Sequence, residues 1–477
     1  MSVAHQFTVN VIAQGLARML SIASNLVLIL VVARMMGTEA FGGFSYVLAF
    51  TSIAVALADL GTTAVLARGL AHHVEEERSA YLGNFLTLRL VLVGVVALGA
   101  LAVALAWPHD LLYALLIIAI GLPVMASRFF EPIYQVYGRP WLSLWSNMVF
   151  GVTQLLLAGL VWAYPNMDVT RLTAGFVVSN LAYTIVALGM MLRLVRPRLR
   201  ADRSLLKAIV LVAAPLGVGS IFTTVISRAD VIILEHLRTS SEVGLYSAAY
   251  RILDLAVFLA ITLVTPLIPI LSREIVEDPR RALERCRLFM QVAGVCALPV
   301  AIVVPSVAEE LLALILGQAY VPAAGALSIL VWNFVLIVLT LLGSTINLAN
   351  GEVRHGYWNT PLAAVVNLGL NFWLIPRYGI EGAAWSALGG QISMMLVSQY
   401  YTLARFGRVY DLHVWMRIAL ACAAMALTLL LTRGLGPWPS AALSLILYAT
   451  LVIRLRLFPR QILEALRKAR ADRASSA

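Results

Sequence analysis

Charge is scarce in this chain. Only 12% of its 477 residues are Asp, Glu, Lys or Arg, while 61% are hydrophobic and the mean hydropathy is +0.89. A soluble domain of ordinary composition carries about twice that share of charge, so a water-soluble fold is excluded. Lysine occurs only at Lys207 and Lys468, neither deep within an apolar run. Cysteine is also sparse: Cys286, Cys296 and Cys422 lie in or beside apolar segments and form no CxxC pair. That excludes a disulfide framework and offers no zinc set, leaving packing as their expected role. His72 and His73 sit in a loop with Glu75, Glu76 and Glu77. Adjacent side chains rarely give tetrahedral ligation, so we expect a solvated turn there, with no metal and no cofactor. No stretch between apolar windows is long enough to fold as a soluble domain. The first window begins near Val9 after a short uncharged leader, with no basic n-region or cleavage site, and is expected to be a retained helix.

What the chain has in abundance is hydrophobic windows of about 20 residues, the length that spans a bilayer core. They fall near 9–33, 41–66, 84–106, 111–130, 141–163, 171–192, 206–234, 243–271, 288–305, 324–349, 357–376, 382–403, 413–432 and 440–456. The expected fold is therefore an all-α polytopic membrane protein with about 14 spans. Alternate loops and the tail collect 25 of the 35 basic residues, whereas the opposite loops hold only Arg34, Arg171, Arg238, Arg377 and Arg433. By the positive-inside rule both termini are cytoplasmic, and a missed span would have blurred this bias. Basic loops facing anionic headgroups account for the net charge of +11 without nucleic acid. The tail is expected to form a basic helix with Ile462, Leu463 and Leu466 on one side, suited to lying on the membrane surface.

One segment echoes another. MMGTEAFGGFSY, from Met35 to Tyr46, and RTSSEVGLYSAAY, from Arg238 to Tyr250, superpose Gly42 on Gly244 and Ser45 on Ser247, an offset of six spans. An even offset preserves orientation, so two parallel six-helix bundles followed by two further helices are expected. The corresponding divisions are 1–200, 201–405 and 406–456, with a basic tail at 457–477.

These segments also carry a family resemblance. ARMMGTEAFGGFSYVLAFTSIAVALADLG, then SRADVIILEHLRTSSEVGLYSAAYRILDL followed by TPLIPILSRE, then RYGIEGAAWSALGGQ, resemble the polysaccharide transporters, including O-antigen flippases, of the multidrug/oligosaccharidyl-lipid/polysaccharide exporter superfamily. The resemblance implies two helical bundles around a cavity that opens alternately to each side of the bacterial inner membrane. It implies an undecaprenyl-diphosphate-linked oligosaccharide as substrate, membrane lipid as surroundings, and polysaccharide polymerase and other assembly proteins as partners.

Ionisable groups deep in a bilayer are costly and mark candidate sites. Here these are Arg18, Asp59, Arg228, Asp230, Arg251 and Asp254. Arg89 and Arg417 lie close enough to span ends to snorkel, and Arg128 and Glu131 sit at a span end, so these four are expected to be structural. Asn10, Gln14, Arg18, Ser21 and Asn25 follow at helical spacing and share one face. That face is either a cavity wall or a polar seam between helices. In the seventh span Ser220, Thr224 and Ser227 repeat a weaker stripe beside Arg228, after an interruption at Pro215, Gly217 and Gly219 that either bends the helix or frees backbone groups near a substrate, or is a plain packing kink. Arg228, Arg251 and Arg18 are the candidates for binding a diphosphate, since guanidinium bonds two oxygens at once, with Gln14 and Asn25 beside them. Asn147, Gln154, Asn180, Asn333, Asn347, Asn367, Asn371 and Gln391 add hydrogen-bonding capacity for sugars. Asp59, without an obvious local partner, and Asp254, three residues from Arg251, are coupling candidates or hydrogen-bonding partners.

Three alternatives remain open. A lipid II flippase of the same superfamily typically has an arginine and an aspartate where this chain has Ser24 and Asn25. A multidrug exporter of organic cations calls for an acidic cavity, whereas the deep charges here are balanced or basic. A membrane glycan polymerase needs acid and base groups on an external loop, and the longest such stretch, Pro305 to Ala323, offers only Glu309 and Glu310. A transporter, not an enzyme, is the expectation.

Overall fold

The computed structural model describes residues 3–72, 75–106, 110–198, 201–264, 267–350, 354–407 and 409–457; in the first helix the side chains of 3–14 and 16–18 lie outside the description. Among the described residues the regular structure is helical throughout. This is what a bilayer demands, since a helix satisfies its own backbone hydrogen bonds where no water can. Among the described residues, eleven helices are long and apolar enough to cross a membrane. One of them bends at Gly37 (φ 82°), and a further helix, Arg354–Phe406, bends at Gly379 (φ 53°), so each contributes two legs. These positive φ values favour glycine, and they reconcile the long helices with the fourteen spans expected. The basic tail, 458–477, lies outside the described residues.

The chain divides into two compact units, Met1–Gly244 and Leu245–Ala477. The first contains α1 (Val3–Asp59), α2 (Thr62–His72), α3 (Glu75–Ala106), α4 (Leu112–Met125), α5 (Phe130–Val136), α6 (Leu142–Ala163), α7 (Val169–Leu194) and α8 (Arg203–Leu237), and ends just inside α9 (Ser240–Val264). One aromatic core gathers Phe85, Phe129, Phe130, Tyr134 and Tyr183, and the Tyr134 hydroxyl donates to the Ala187 carbonyl at 2.7 Å. Asp202 caps α8 by accepting from the amides of Ser204 and Leu205. The Ser204 hydroxyl and these amides hold the Asp202 carboxyl below its ordinary pKa.

Two glycine contacts in this unit shape the helices. The interruption expected at Pro215 to Gly219 does not break α8, which runs continuously. Gly217 instead lets α8 press on the Leu60 backbone, where a Cβ would overlap. Leu60 and Gly61, both at positive φ, form the turn between α1 and α2. The echoing segments also meet: a Cβ on Gly42 would overlap the Ser240 carbonyl, and one on Gly244 the Thr38 carbonyl. Thr38 and Ser240 are separated by the same offset as Gly42 and Gly244, so the contact is reciprocal. The Thr38 and Ser241 hydroxyls, 2.8 Å apart, close it.

The second unit continues from Leu245 along α9 and adds α10 (Leu267–Glu277), α11 (Pro279–Ile315), α12 (Ala324–Ala349), α13 (Arg354–Phe406), α14 (Leu412–Leu431) and α15 (Pro437–Arg454). α12 and α13 are joined by polar side chains. Asn347 donates to the Ser398 carbonyl at 3.1 Å, Gln391 to the Thr340 hydroxyl at 3.0 Å, and Thr402 to the Asn347 amide oxygen at 3.2 Å. Asn371 donates to Asn367 at 3.0 Å within α13. These buried amides, expected to serve sugars, act as interhelical or intrahelical hydrogen bonders. α15 docks through Tyr448, whose hydroxyl donates to the Val295 carbonyl of α11 at 2.9 Å.

Candidate functional site

Within the first unit a cavity of about 620 Å³ opens among α1, α3, α7, α8 and the 3-10 turn Ala126–Phe129. Its volume lies in the range of small-ligand sites. Three guanidinium groups, Arg89, Arg128 and Arg228, and one carboxylate, Asp59, are its charged lining.

Arg89 and Asp59 neutralise each other. Arg89 Nη1 lies 2.5 Å from Asp59 Oδ1 and donates to the Thr62 hydroxyl at 3.0 Å, while Nη2 donates to the Ala126 carbonyl at 2.8 Å. The Thr63 hydroxyl donates to the same carboxylate oxygen. Arg89 therefore does not snorkel. It is 5% exposed and turns inward because Asp59, 30 residues earlier, faces it across the α1–α3 contact. Asp59 has the partner that its neighbours in sequence do not supply.

Arg128 is placed differently. Its guanidinium centre lies 4.5 Å from the Phe150 ring centroid and 4.3 Å from that of Tyr183, so aromatic faces position the cation while its edge remains exposed to the cavity. Asn147 Oδ1 accepts from Arg128 at 3.4 Å and from the Ser21 hydroxyl at 2.6 Å, and Asn147 Nδ2 donates to Glu131 at 3.3 Å. The described part of the polar face on the first span thus acts, at Ser21, as a seam to α6. Asn25 on that face is half-buried, and the side chains of Gln14 and Arg18 lie outside the described residues.

α8 supplies the facing wall. The hydroxyls of Thr223, Thr224 and Ser227 donate to the carbonyls of Gly219, Ser220 and Thr223, each at 2.9 Å, which leaves their oxygens available as acceptors. One position further on, half-buried Arg228 forms no ion pair among the described residues. Asp230, two residues beyond it, is fully buried, and one of its carboxylate oxygens accepts from the Val231 amide at 2.8 Å. With Asp59 cancelling Arg89, the lining retains the charge of Arg128 and Arg228.

The other two charged candidates belong to the second unit. Arg251 and Asp254 approach each other at 3.3 Å on α9, with side chains 22% and 37% exposed. Sequence reasoning thus singled out Arg228 and Asp59 but assigned Arg89 and Arg128 to structural span ends. The missing signal is tertiary: Asp59 draws in the first, and Phe150 and Tyr183 stack on the second.

The described residues thus form a multi-pass helical protein with a polar, net-cationic cavity inside one helical unit. Residues 4–274 match the family model described as polysaccharide biosynthesis protein, and residues 215–373 match the MatE model. The chain belongs to the polysaccharide biosynthesis protein family, within the multidrug/oligosaccharidyl-lipid/polysaccharide exporter superfamily. It is 23% identical over 400 residues to the capsular polysaccharide biosynthesis protein CapF of Staphylococcus aureus, covering 82% of this chain and 97% of that one. Its fold is similar to that of the lipid II flippase MurJ in an inward closed conformation, with a TM-score of 0.76 at 12% identity over 94% of this chain and 99% of MurJ. It is also similar to an inward-facing multidrug resistance MATE family transporter, with a TM-score of 0.65 at 14% identity over 81% and 94% of the two chains.

Proposed function

We propose that this transporter is a flippase that moves an undecaprenyl-diphosphate-linked oligosaccharide, an O-antigen, exopolysaccharide or capsule repeat unit, across the bacterial inner membrane by alternating access, with both termini in the cytoplasm. The observation that carries the reading is the net-cationic cavity, in which Arg228 has no carboxylate partner among the described residues. A diphosphate needs planar donors in place of water, and the sugars need acceptors such as the α8 hydroxyls. Arg18, Arg228 and Arg251 remain the proposed diphosphate ligands, with Gln14 and Asn25 beside Arg18; geometry adds Arg128. Asp59 and Asp254 are the proposed coupling carboxylates. Each is already engaged by an arginine, so neutralising either carboxylate removes the anion from that pair.

An exporter of organic cations fits less well, because two of the three guanidinium groups in the lining are not neutralised by its carboxylate. The lipid II reading lacks its second arginine, and Ser24 at that position is buried, donating to the Leu20 carbonyl at 2.8 Å. The test is complementation of a strain lacking its own oligosaccharide flippase, with protein level monitored. Alanine at Arg18, Arg228 and Arg251 together should abolish surface polysaccharide, and lysine at each should retain an intermediate level. Normal polysaccharide from the triple alanine variant at normal protein level would overturn the proposal.

A further inference from the structure

A second cavity, of about 530 Å³, lies in the Leu245–Ala477 unit among α11, α14 and the start of α15. Ile302, Leu429 and Leu430 supply apolar wall, while Glu309, Glu310 and Arg433 bring charge of both signs. None of these three charged groups forms an ion pair among the described residues. Carboxylates and a guanidinium therefore share one cavity without neutralising each other, an arrangement complementary to a ligand that carries both charges.

The location narrows the ligand. Two apolar helices, Leu412–Leu431 and Pro437–Arg454, reverse direction between Thr432 and Gly436, where spanning helices leave the hydrocarbon. Trp438 stands 49% exposed beside that turn, the placement of an interfacial aromatic. The cavity thus has apolar wall at the depth of acyl chains and charge at the depth of headgroups.

We propose that this cavity binds a membrane phospholipid whose headgroup pairs a phosphate with a primary ammonium, the phosphoethanolamine class. Arg433 takes the phosphate. Glu309 and Glu310 accept from the ammonium, and the first acyl carbons lie along Ile302, Leu429 and Leu430. An anionic glycerol headgroup meets two carboxylates against one guanidinium and is disfavoured. A trimethylammonium headgroup has no N–H to donate and loses the hydrogen bonds to Glu309 and Glu310.

The experiment is lipid competition on the purified full-length protein in detergent, read by native mass spectrometry. Phosphatidylethanolamine, phosphatidylcholine and phosphatidylglycerol with identical acyl chains are supplied in equal amounts. The ethanolamine lipid should be retained about tenfold over either competitor, the ratio that one or two charge-assisted hydrogen bonds produce. Glu309→Gln with Glu310→Gln should erase the preference over the choline lipid, and Arg433→Gln should weaken retention of the ethanolamine lipid by a similar factor. Equal retention of the three lipids by the unaltered protein would overturn the proposal, and that comparison needs no variant to fold. An unchanged preference in well-folded variants would overturn it too, as would displacement of the lipid by an equal concentration of soluble phosphoethanolamine.

Discussion

Replacing Asp59 with asparagine leaves Arg89 charged and buried with no carboxylate beside it. The guanidinium keeps the Thr62 hydroxyl at 3.0 Å and the Ala126 carbonyl at 2.8 Å but loses its contact at 2.5 Å with an anion. Removing one partner of a buried ion pair costs about 3–5 kcal/mol, because the remaining charge stays desolvated. The Asp59 side chain is 22% exposed, and asparagine still offers an acceptor, so a loss of about 2–3 kcal/mol is expected here. For a unit of the size of Met1–Gly244 this corresponds to a fall of about 5–10 °C in apparent melting temperature. Removing both charges, with Asp59→Asn and Arg89→Met, should recover most of that fall, since the cost comes from the orphaned charge. The assay is thermal challenge of detergent-purified protein followed by fluorescence-detected size exclusion. A melting temperature for Asp59→Asn within about 1 °C of the parent would refute the reasoning, as would a double variant less stable than the single one. Transport measured at matched protein level separates coupling from stability: a proton relay through Asp59 requires transport to fall further than protein level and its pH dependence to change.

The reciprocal glycine contact predicts that Thr38→Cys and Ser241→Cys, replacing hydroxyls 2.8 Å apart, will cross-link under mild oxidation in a background without Cys286, Cys296 and Cys422. Adding Gly42→Val should cut the yield severalfold by forcing the Ser240 carbonyl away, and an unchanged yield would contradict the packing. A cysteine introduced in the Arg193–Lys207 loop should react with impermeant reagents only from the cytoplasmic side, and labelling from the periplasm would reverse the topology.

Span number was readable from hydrophobic windows because a bilayer imposes one length on every crossing. The bends at Gly37 and Gly379 lie where short loops were expected, but without a break in helix assignment, because a single glycine at positive φ turns the chain in one residue. The candidate site was only partly legible. Periodicity identifies which residues share a face but not what that face meets. Arg89 resembled a snorkelling residue until the fold placed Asp59 against it, and Arg128 a span end until the Phe150 and Tyr183 rings positioned it. Asn347 and Gln391 illustrate the converse. Their amides suit a sugar or a neighbouring helix equally, and partners 51 residues away assign them to the helix contact. The echo at Gly42 and Gly244 was visible as repetition, whereas its meaning as a mutual contact depends on both segments meeting in space.

The central claim, that the cationic cavity carries a lipid-linked oligosaccharide, is tested most directly by reconstitution. Purified protein in liposomes is supplied with a fluorescent undecaprenyl-diphosphate oligosaccharide in one leaflet, and its arrival in the other is read by an impermeant quencher. The account predicts protein-dependent translocation that falls at least tenfold in Arg128→Ala with Arg228→Ala, with the protein still monodisperse. Translocation at the parental rate by that double variant, or none by the parent protein, would contradict it.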